Sequence, residues 1–183
     1  MHYDPGQVYQ PAADTYLLLD ESRAEVKKGD RILEVGTGSG YIAAGLVKLA
    51  PVIATEINPH AASCAREAGV EVVRCNLFDA IRGTFDLILF NPPYLPTGQQ
   101  ERIDDWLEYA LDGGENGRVV IERFAVDVRR ILAPEGRILL LISSLTGLDD
   151  VKGLFSAAGF SAEVIREDAV EGEVLYVLRI SVG

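Results

Sequence analysis

Four consecutive residues, Asn91, Pro92, Pro93 and Tyr94, combine an amide side chain, two rigid rings and an aromatic ring. They follow residues 85–90, an apolar run that is typical of a buried strand. Because proline lacks the N–H that a strand ladder needs, the strand should end at Asn91 and give way to a rigid loop. Ligands of open α/β sheets bind outside the carboxyl ends of such strands. Taken alone, however, these residues fit an ordinary strand-ending turn better than a site.

A glycine-rich turn follows an earlier predicted strand. It begins with Glu34 and has glycines at every second position, Gly36, Gly38 and Gly40. Glycines let the backbone approach a ligand closely, and the helix that follows points free N–H groups at whatever lies above the strand. The spacing matches neither the dinucleotide fingerprint nor the phosphate loop with its lysine. No pyrophosphate or triphosphate cradle is therefore evident.

Polar residues also follow the second and third predicted strands. Glu56 ends the second strand, twenty positions after Gly36, and Ile57 stands next to it. An acid at this place can accept hydrogen bonds from the two hydroxyls of a ribose, although a lone acid at a strand end is more simply solvated. After the third strand, Asn76 and Leu77 can bind and cover a purine ring.

Strands and helices alternate along the chain. This order predicts a Rossmann-like α/β fold, with a seven-stranded, mostly parallel sheet, helices on both faces and an antiparallel last strand. The expected strands cover about residues 31–35, 52–56, 70–75, 85–90, 137–143, 161–166 and 174–180. The expected helices cover about residues 11–27, 59–68, 119–132 and 148–158, and a further helix ends near residue 49. The polar residues 167–173 should join the last two strands.

Composition narrows the class of protein. The 183 residues suit one domain, with an extended arm at 1–10 and an insert at 95–118. A net charge of −11 argues against a broadly basic nucleic-acid surface. Two cysteines are too few for a disulfide framework or a zinc site, and we expect no bound metal. Neither a signal peptide nor an apolar run of spanning length is apparent, so we expect a cytoplasmic protein.

Together these motifs resemble the class I S-adenosylmethionine-dependent methyltransferases, and residues 91–94 match the tetrapeptide of those that methylate planar nitrogens. Residues 8–15 and 112–118 further resemble the HemK-like glutamine N5-methyltransferases of translation release factors, in their short archaeal and eukaryotic form. Tyr9 and Thr15 are retained in the first of these segments, whereas Gln10 and Ala13 stand where that family has acids.

The resemblance implies a cofactor, a substrate and roles for the site residues. The residues expected to bind S-adenosylmethionine are Tyr9, Thr15, Glu34, Gly36, Gly38, Gly40, Glu56, Ile57, Asn76, Leu77 and Asn91. The Asn91 side-chain oxygen and the Pro92 carbonyl can each accept one N–H of a glutamine amide, while Pro93 stiffens the loop and Tyr94 packs on the amide plane. Trp106, Gly113 and Gly114 are expected on a rim that receives a Gly-Gly-Gln loop. A Trp106 ring tucked into the core is as compatible with the sequence.

The strand at 70–75 should lie at an edge of the sheet, and an exposed apolar edge invites strand addition. The family that this chain resembles acts with a small zinc-binding activator protein on that edge, which implies such a partner here. The alternative is an edge blunted by Glu71 and Arg74.

Two other functions stay open from the sequence. One is methylation of adenine N6 or guanine N2 in nucleic acid, since the target is again an amino group on an sp² carbon. Acidity and small size count against it. The other is a cofactor-binding scaffold without activity. Lysine methylation as a side activity also stays open.

Overall fold

A computed structural model describes residues 3–97 and 105–183. Its helices are α1 (Ala13–Glu25), α2 (Tyr41–Leu46), α3 (Pro59–Glu67), α4 (Val119–Asp127) and α5 (Leu148–Ala157). Its strands are β1 (Ile32–Val35), β2 (Val52–Glu56), β3 (Glu71–Arg74), β4 (Phe85–Phe90), β5 (Leu132–Ser143), β6 (Phe160–Val170) and β7 (Glu173–Val182). Within the described ranges, no helix has the length and apolar content needed to cross a membrane.

The strands form one seven-stranded sheet in the order β3-β2-β1-β4-β5-β7-β6. Strands β1 to β5 pair in parallel, and β7 runs antiparallel to both β5 and β6. The chain moves outward from β1 to β3 and then returns to the other side of β1 with β4. The crevice for a ligand is therefore expected above β1 and β4, where the order reverses. The predicted sheet, with its antiparallel last strand, is confirmed.

Each face of the sheet carries its own apolar cluster, and side chains alternate between the two along each central strand. In β4, Ile88 and Phe90 join the cluster that contains Phe124 of α4. Leu87 and Leu89 of the same strand join the cluster beneath α1 and α2. Both faces are thus covered by helices, as parallel strands require.

A buried arginine fixes the far end of α1. The Arg137 guanidinium in β5 lies 2.8 Å from the Asp30 carboxylate and 3.2 Å from the Glu25 carboxylate, and it also donates to the Asp86 carbonyl. These partners satisfy a charge that is only 6% exposed. Because the end of α1 is tied to the start of the central strands, the first turn of α1 lies at their carboxyl ends.

The prediction of a helix over residues 119–132 is wrong at its end. Helix α4 ends at Asp127, and β5 already begins at Leu132. Leu132 pairs with Phe85, whereas the next pair joins Arg137 to Leu87, so four residues of β5 bulge out opposite one residue of β4. The bulge accommodates a proline at position 134, which has no N–H for the ladder.

The predicted connection over residues 167–173 is also wrong, because β6 and β7 pair as far as Val170 and Glu173. Only Glu171 and Gly172 form the turn, with Gly172 at φ +85°. The polar residues of β6 are tolerated because this strand lies at the sheet edge and is largely exposed to water. Helices α1 and α2 are shorter than the predicted 11–27 and the predicted end near 49.

Candidate active site

A cavity of about 760 Å³ opens where the carboxyl ends of β1, β2 and β4 meet. Its wall also includes the N-terminal arm, through Tyr9, and the start of α1, through Thr15. The insert contributes Gly114. Residues predicted as separate motifs therefore lie around one space, at the crevice that the strand order defines.

The glycine turn forms the floor of this cavity, through Gly36 and Gly38. A side chain at Gly38 would meet no atom within 4 Å, so the backbone there is open to a ligand. Gly40 is different, because it does not line the cavity. At φ +82°, its position would bring a Cβ atom to 2.7 Å from the Ala65 Cβ atom, so glycine lets α2 begin close against α3.

Glu34 braces the glycine turn from below. Its Oε2 accepts hydrogen bonds from the Thr37 hydroxyl at 2.5 Å and from the Ala43 amide at 2.9 Å. The side chain is buried, and burial raises the pKa of its carboxyl to about 8, although the two hydrogen bonds oppose the shift. Glu34 lines the cavity, but both of its hydrogen bonds are to the glycine turn and α2.

Glu56 lies in the wall at the end of β2. One carboxylate oxygen accepts from the Gly38 amide at 2.8 Å and the other from the Asn58 amide at 2.9 Å. Burial raises the pKa of Glu56, and these hydrogen bonds oppose the shift. A carboxylate offers about four lone-pair positions, so Glu56 keeps acceptor capacity beyond its bonds to the Gly38, Asn58 and Ile57 amides. The arrangement fits a hydroxyl group of a ligand.

Ile57, Asn76 and Leu77 complete this side of the cavity. Leu77 has φ +46°, and it is the one non-glycine residue with positive φ in the described part of the chain. Such a conformation is unfavourable for a leucine and is held by its surroundings, which is common at ligand sites. Two apolar side chains and one amide are suited to a planar heterocycle with a polar edge.

Asn91 stands at the end of β4 with its two side-chain atoms in different situations. Its Nδ2 donates to the Asp14 Oδ2 atom at 2.9 Å. Its Oδ1 is buried and has no hydrogen-bond partner among the residues that the structure describes. A buried acceptor without a donor is costly. The cavity wall thus holds an acceptor that an incoming N–H would satisfy.

Pro92, Pro93 and Tyr94 continue the cavity wall after Asn91. The loop is fixed from behind, because the Gly113 amide donates to the Leu95 carbonyl at 2.9 Å. A Cβ atom at Gly117 would lie 2.5 Å from the Tyr94 carbonyl oxygen, so only glycine permits this approach. Gly113 itself does not line the cavity. There a Cβ atom would lie 2.7 Å from the Gly117 Cα atom, which makes Gly113 part of the support behind the loop.

Trp106 lies outside the cavity wall and outside the two core clusters. Its ring packs 5.3 Å from that of Tyr109, with the Arg74 guanidinium 5.9 Å away. Its amide donates to the Gln7 side chain at 2.9 Å, and its carbonyl accepts from Asn58 at 3.3 Å. Trp106 therefore joins the insert to the N-terminal arm and to the start of α3.

The sequence interpretation missed four acids in the wall, Asp14, Glu108, Asp112 and Glu173. Asp14 stands directly before Thr15, and this adjacency was the available signal. Glu108 has a buried Oε1 without a partner among the described residues, and nothing in its sequence context marks it. Glu173 accepts a hydrogen bond from the Ser143 hydroxyl.

The wall is electrostatically one-sided. Apart from Glu34, whose pKa of about 8 favours its neutral form, its acidic residues in the described chain are Asp14, Glu56, Glu108, Asp112 and Glu173, against Arg123 as a base. Burial, followed by the charge of Asp14, raises the pKa values of Tyr9 and Tyr94 above their ordinary range, so both phenols stay protonated. Such a cavity favours a cationic ligand and disfavours phosphate.

The family model described as "Methyltransferase small domain" matches residues 12–108. The chain belongs to this family. A Methanocaldococcus jannaschii protein that bears the name protein N5-glutamine methyltransferase is 37% identical over 94% of this chain and 90% of its own length. Methyltransferase HEMK2 of Homo sapiens is 33% identical over 96% of this chain and 90% of its own length.

A solved structure of the E. cuniculi Mtq2–Trm112 complex, described as responsible for methylation of the eRF1 translation termination factor, contains a similar chain. The TM-score is 0.81 at 28% identity, with 97% of this chain and 99% of that chain covered. The protein is thus a class I methyltransferase, and its methyl donor is S-adenosylmethionine. The donor's sulfonium suits the acidic wall, and its ribose suits the spare lone pairs of Glu56.

Proposed function

We propose that this methyltransferase transfers a methyl group to the side-chain N5 of a glutamine, within the Gly-Gly-Gln loop of a class I translation release factor. The observation that carries the proposal is the buried Asn91 Oδ1, an acceptor without a partner among the described residues. A primary amide has two N–H groups and offers the donor that this atom lacks. A release factor acts in translation, so we infer that the enzyme works in the cytoplasm.

The cofactor is assigned to the part of the cavity above β1 and β2. Glu56 would accept hydrogen bonds from the ribose hydroxyls, and Asn76 with Ile57 and Leu77 would hold the adenine. The glycine turn, with Gly36 and Gly38, and the arm residues Tyr9 and Thr15 would enclose the remainder. When bound, the cofactor supplies an electrophilic methyl group on a positively charged sulfur.

The protein contributes mainly by orienting the acceptor nitrogen. Asn91 Oδ1 accepts one N–H of the glutamine amide, and the Pro92 carbonyl accepts the other, which leaves the nitrogen lone pair directed at the methyl group. Tyr94 packs on the amide plane. A new N–C bond forms as the S–C bond breaks, and the nitrogen loses a proton to water. Positioning of this kind can contribute about 7–11 kcal/mol to lowering the barrier.

Three features support glutamine over a nucleic-acid base. The relatives from M. jannaschii and H. sapiens align over nearly the whole chain, and the former carries glutamine methylation in its name. A release factor glutamine methyltransferase of Deinococcus radiodurans is 34% identical over 84% of this chain, which spans 60% of that longer relative. The acidic wall would repel the phosphates of nucleic acid. An inactive scaffold would have no need of an unpaired buried acceptor at Asn91.

A labelling experiment tests this function. The purified enzyme is incubated with methyl-labelled S-adenosylmethionine and, separately, with a release factor, the same factor with its loop glutamine changed to alanine, and DNA or RNA. We expect label in the unmodified factor alone, on the glutamine side chain by mass spectrometry. Label in nucleic acid but not in protein would refute the proposal.

We also propose that a small zinc-binding activator protein docks on the outer edge of β3, where the Val72 carbonyl accepts a hydrogen bond from the Arg66 guanidinium. Here β3 pairs with β2 on one side, and the Cys75 amide points toward β2 through its bond to the Glu56 carbonyl. Since backbone groups alternate along a strand, the Val72 amide points to the outer edge. A similar chain, Mtq2, was solved with Trm112, which supports a small partner.

The edge assignment is tested by co-purification with the candidate activator and zinc analysis of the complex. Val72→Pro removes one outward N–H without removing a bond to β2, and we expect it to weaken association about tenfold. Circular dichroism checks that the variant is folded. An equally tight complex with the folded variant would place the partner elsewhere.

A further inference from the structure

We propose that Asp14 is a positioning residue: it determines which end of the Asn91 carboxamide faces the glutamine amide of the substrate. Through Asp14, the orientation of this carboxamide also depends on the N-terminal arm. This role rests on the proposed function, because it gives the Asn91 oxygen its task. Asp14 lies in the first turn of α1, whereas Asn91 ends β4, and they are separated by 77 positions in the chain.

The Asp14 carboxyl is surrounded by donors and is 4% exposed. Its Oδ2 accepts from Asn91 Nδ2 at 2.9 Å and from the Tyr9 hydroxyl at 3.1 Å. Its Oδ1 accepts from the Thr15 amide at 2.6 Å and lies 3.2 Å from the Thr15 hydroxyl. Both oxygens are therefore held in place, and the carboxyl cannot turn without losing several bonds.

Hydrogen-bond chemistry then fixes the carboxamide. The two ends of an asparagine side chain have nearly the same shape, but one donates and the other accepts. A carboxylate only accepts, so only the Nδ2 end of Asn91 can face Asp14. A half-turn of the carboxamide would bring Asn91 Oδ1 against Asp14 Oδ2, two oxygens that repel each other. The turned carboxamide would also direct its Nδ2 group at the N–H of an incoming amide, and two donors cannot form a hydrogen bond. Asp14 excludes this orientation.

The arm contributes through Tyr9, which shares the Asp14 Oδ2 atom with Asn91. The same arm is held at Gln7, whose carbonyl accepts from Asn58 at 2.7 Å and whose side chain accepts from the Trp106 amide. The carboxyl that orients Asn91 is therefore itself oriented by the arm. Asn91 becomes competent for the reaction once the arm is in place over the cavity.

The substitution Asp14→Asn tests this role, because the new carboxamide has the same shape but can donate to a turned Asn91. We expect kcat on the release-factor substrate to fall about 100-fold, as for other misoriented reacting groups, while the cofactor Kd changes less than about threefold. Tyr9→Phe should lower kcat about tenfold. Asp20→Asn is the matched control, because Asp20 lies on the same helix, is largely exposed and pairs with Arg23 at the surface.

A second measurement does not require activity. In ¹⁵N-labelled protein without substrate, the side-chain amide signal of Asn91 is assigned by its loss in Asn91→Ala. We expect Asp14→Asn to shift this signal and speed its hydrogen exchange, and Asp20→Asn to leave it unchanged. An unchanged Asn91 signal in Asp14→Asn would overturn the proposal. So would a loss of cofactor affinity as large as the loss of kcat, since Asp14 would then act on the cofactor. A protein that methylates no glutamine would refute the proposed function, and the Asn91 signal would still decide the role of Asp14.

Discussion

The Glu56 carboxylate accepts a hydrogen bond from the Gly38 amide at 2.8 Å, which joins the end of β2 to the glycine turn above β1. Two motifs that are separated by 18 positions in the chain thus share one contact at the floor of the cavity. The acid both stabilises the open turn and keeps lone pairs for a ribose. We therefore propose that the glycine turn and Glu56 act as one binding surface for the cofactor.

Substitution of Glu56 should separate cofactor binding from methyl transfer. Glu56→Gln removes the charge and one acceptor, and we expect the S-adenosylmethionine Kd to rise about 10- to 100-fold, the range for a charged hydrogen bond. The kcat at saturating cofactor should change little. Isothermal titration calorimetry measures the Kd, with the exposed Glu67→Gln of α3 as control. Unchanged affinity in Glu56→Gln would remove Glu56 from the cofactor site.

Asn91→Ala should impair methyl transfer and spare cofactor binding, the reverse of the result expected for Glu56→Gln. Loss of the buried acceptor leaves the amide substrate unoriented, so we expect kcat/KM for the release factor to fall by at least about 100-fold. Cofactor affinity should stay within about threefold of the wild-type value, because Glu56 and the glycine turn remain. Both values are measured on the same preparation. Wild-type turnover by Asn91→Ala would contradict the central assignment.

The buried Glu34 carboxyl should make the free energy of unfolding depend on pH. Its pKa is raised to about 8 from 4.5, so the folded state binds a proton that the unfolded state has lost between these values. Stability contributed by this group therefore falls as pH rises through that window. Glu34→Gln cannot ionise, and we expect its unfolding free energy relative to wild type to rise by up to roughly 3–4 kcal/mol between pH 5 and pH 8.

Denaturant unfolding at several pH values measures this difference. The exposed Glu135→Gln provides the control, and it should not alter the pH dependence. A constant difference between Glu34→Gln and wild type across the window would show that the Glu34 carboxyl is not protonated preferentially in the folded protein.

Two glycine substitutions should change stability in opposite directions. Gly40→Ala must adopt φ +82° and place a Cβ atom 2.7 Å from the Ala65 Cβ atom, so we expect a loss of about 2–4 kcal/mol. Gly153→Ala lies inside α5, where an added Cβ atom meets nothing within 4 Å, and should stabilise the protein by about 0.5–1 kcal/mol. Thermal unfolding compares the two. Equal effects of both substitutions would contradict the packing assigned to Gly40.

Glu108 provides a test of the insert. Its Oε1 is buried in the cavity wall without a partner among the described residues, so a donor on the substrate should satisfy it. We expect Glu108→Ala to raise the KM for the release factor about tenfold and to change kcat less. Steady-state kinetics at saturating cofactor measures both, with Glu135→Ala as control. A fall in kcat alone would assign Glu108 to the transfer step instead.

Much of the site could be predicted because its motifs are local. Glu56 ends β2, Leu77 lies three positions after β3 and Asn91 directly follows β4, and parallel strands bring such positions to one edge of the sheet. The contact between Asp14 and Asn91 could not be predicted, because it depends on where α1 crosses the sheet. The roles assigned to Gly40 and Gly113 as ligand contacts remain predictions, since the structure gives both a close packing contact outside the cavity wall.

The fold was predictable to a similar extent. Apolar runs identified the central strands, because both of their faces are buried. The start of β5 was missed because Pro134 and Gly136 are signals of a helix end, whereas the structure takes them up in a bulge. The tip of the β6–β7 pair was missed because polar residues are typical of loops and an exposed edge strand tolerates them as well.

Gln7 connects two segments beside the cavity, the N-terminal arm and the insert. Gln7 belongs to the arm that carries Tyr9, and its side chain accepts a hydrogen bond from the Trp106 amide of the insert. Its carbonyl accepts a second hydrogen bond, from the Asn58 side chain. Movement of either segment away from the other breaks the hydrogen bond between the Trp106 amide and the Gln7 side chain, so the two movements are coupled. We therefore expect departure of the cofactor and release of the methylated protein to share one conformational step.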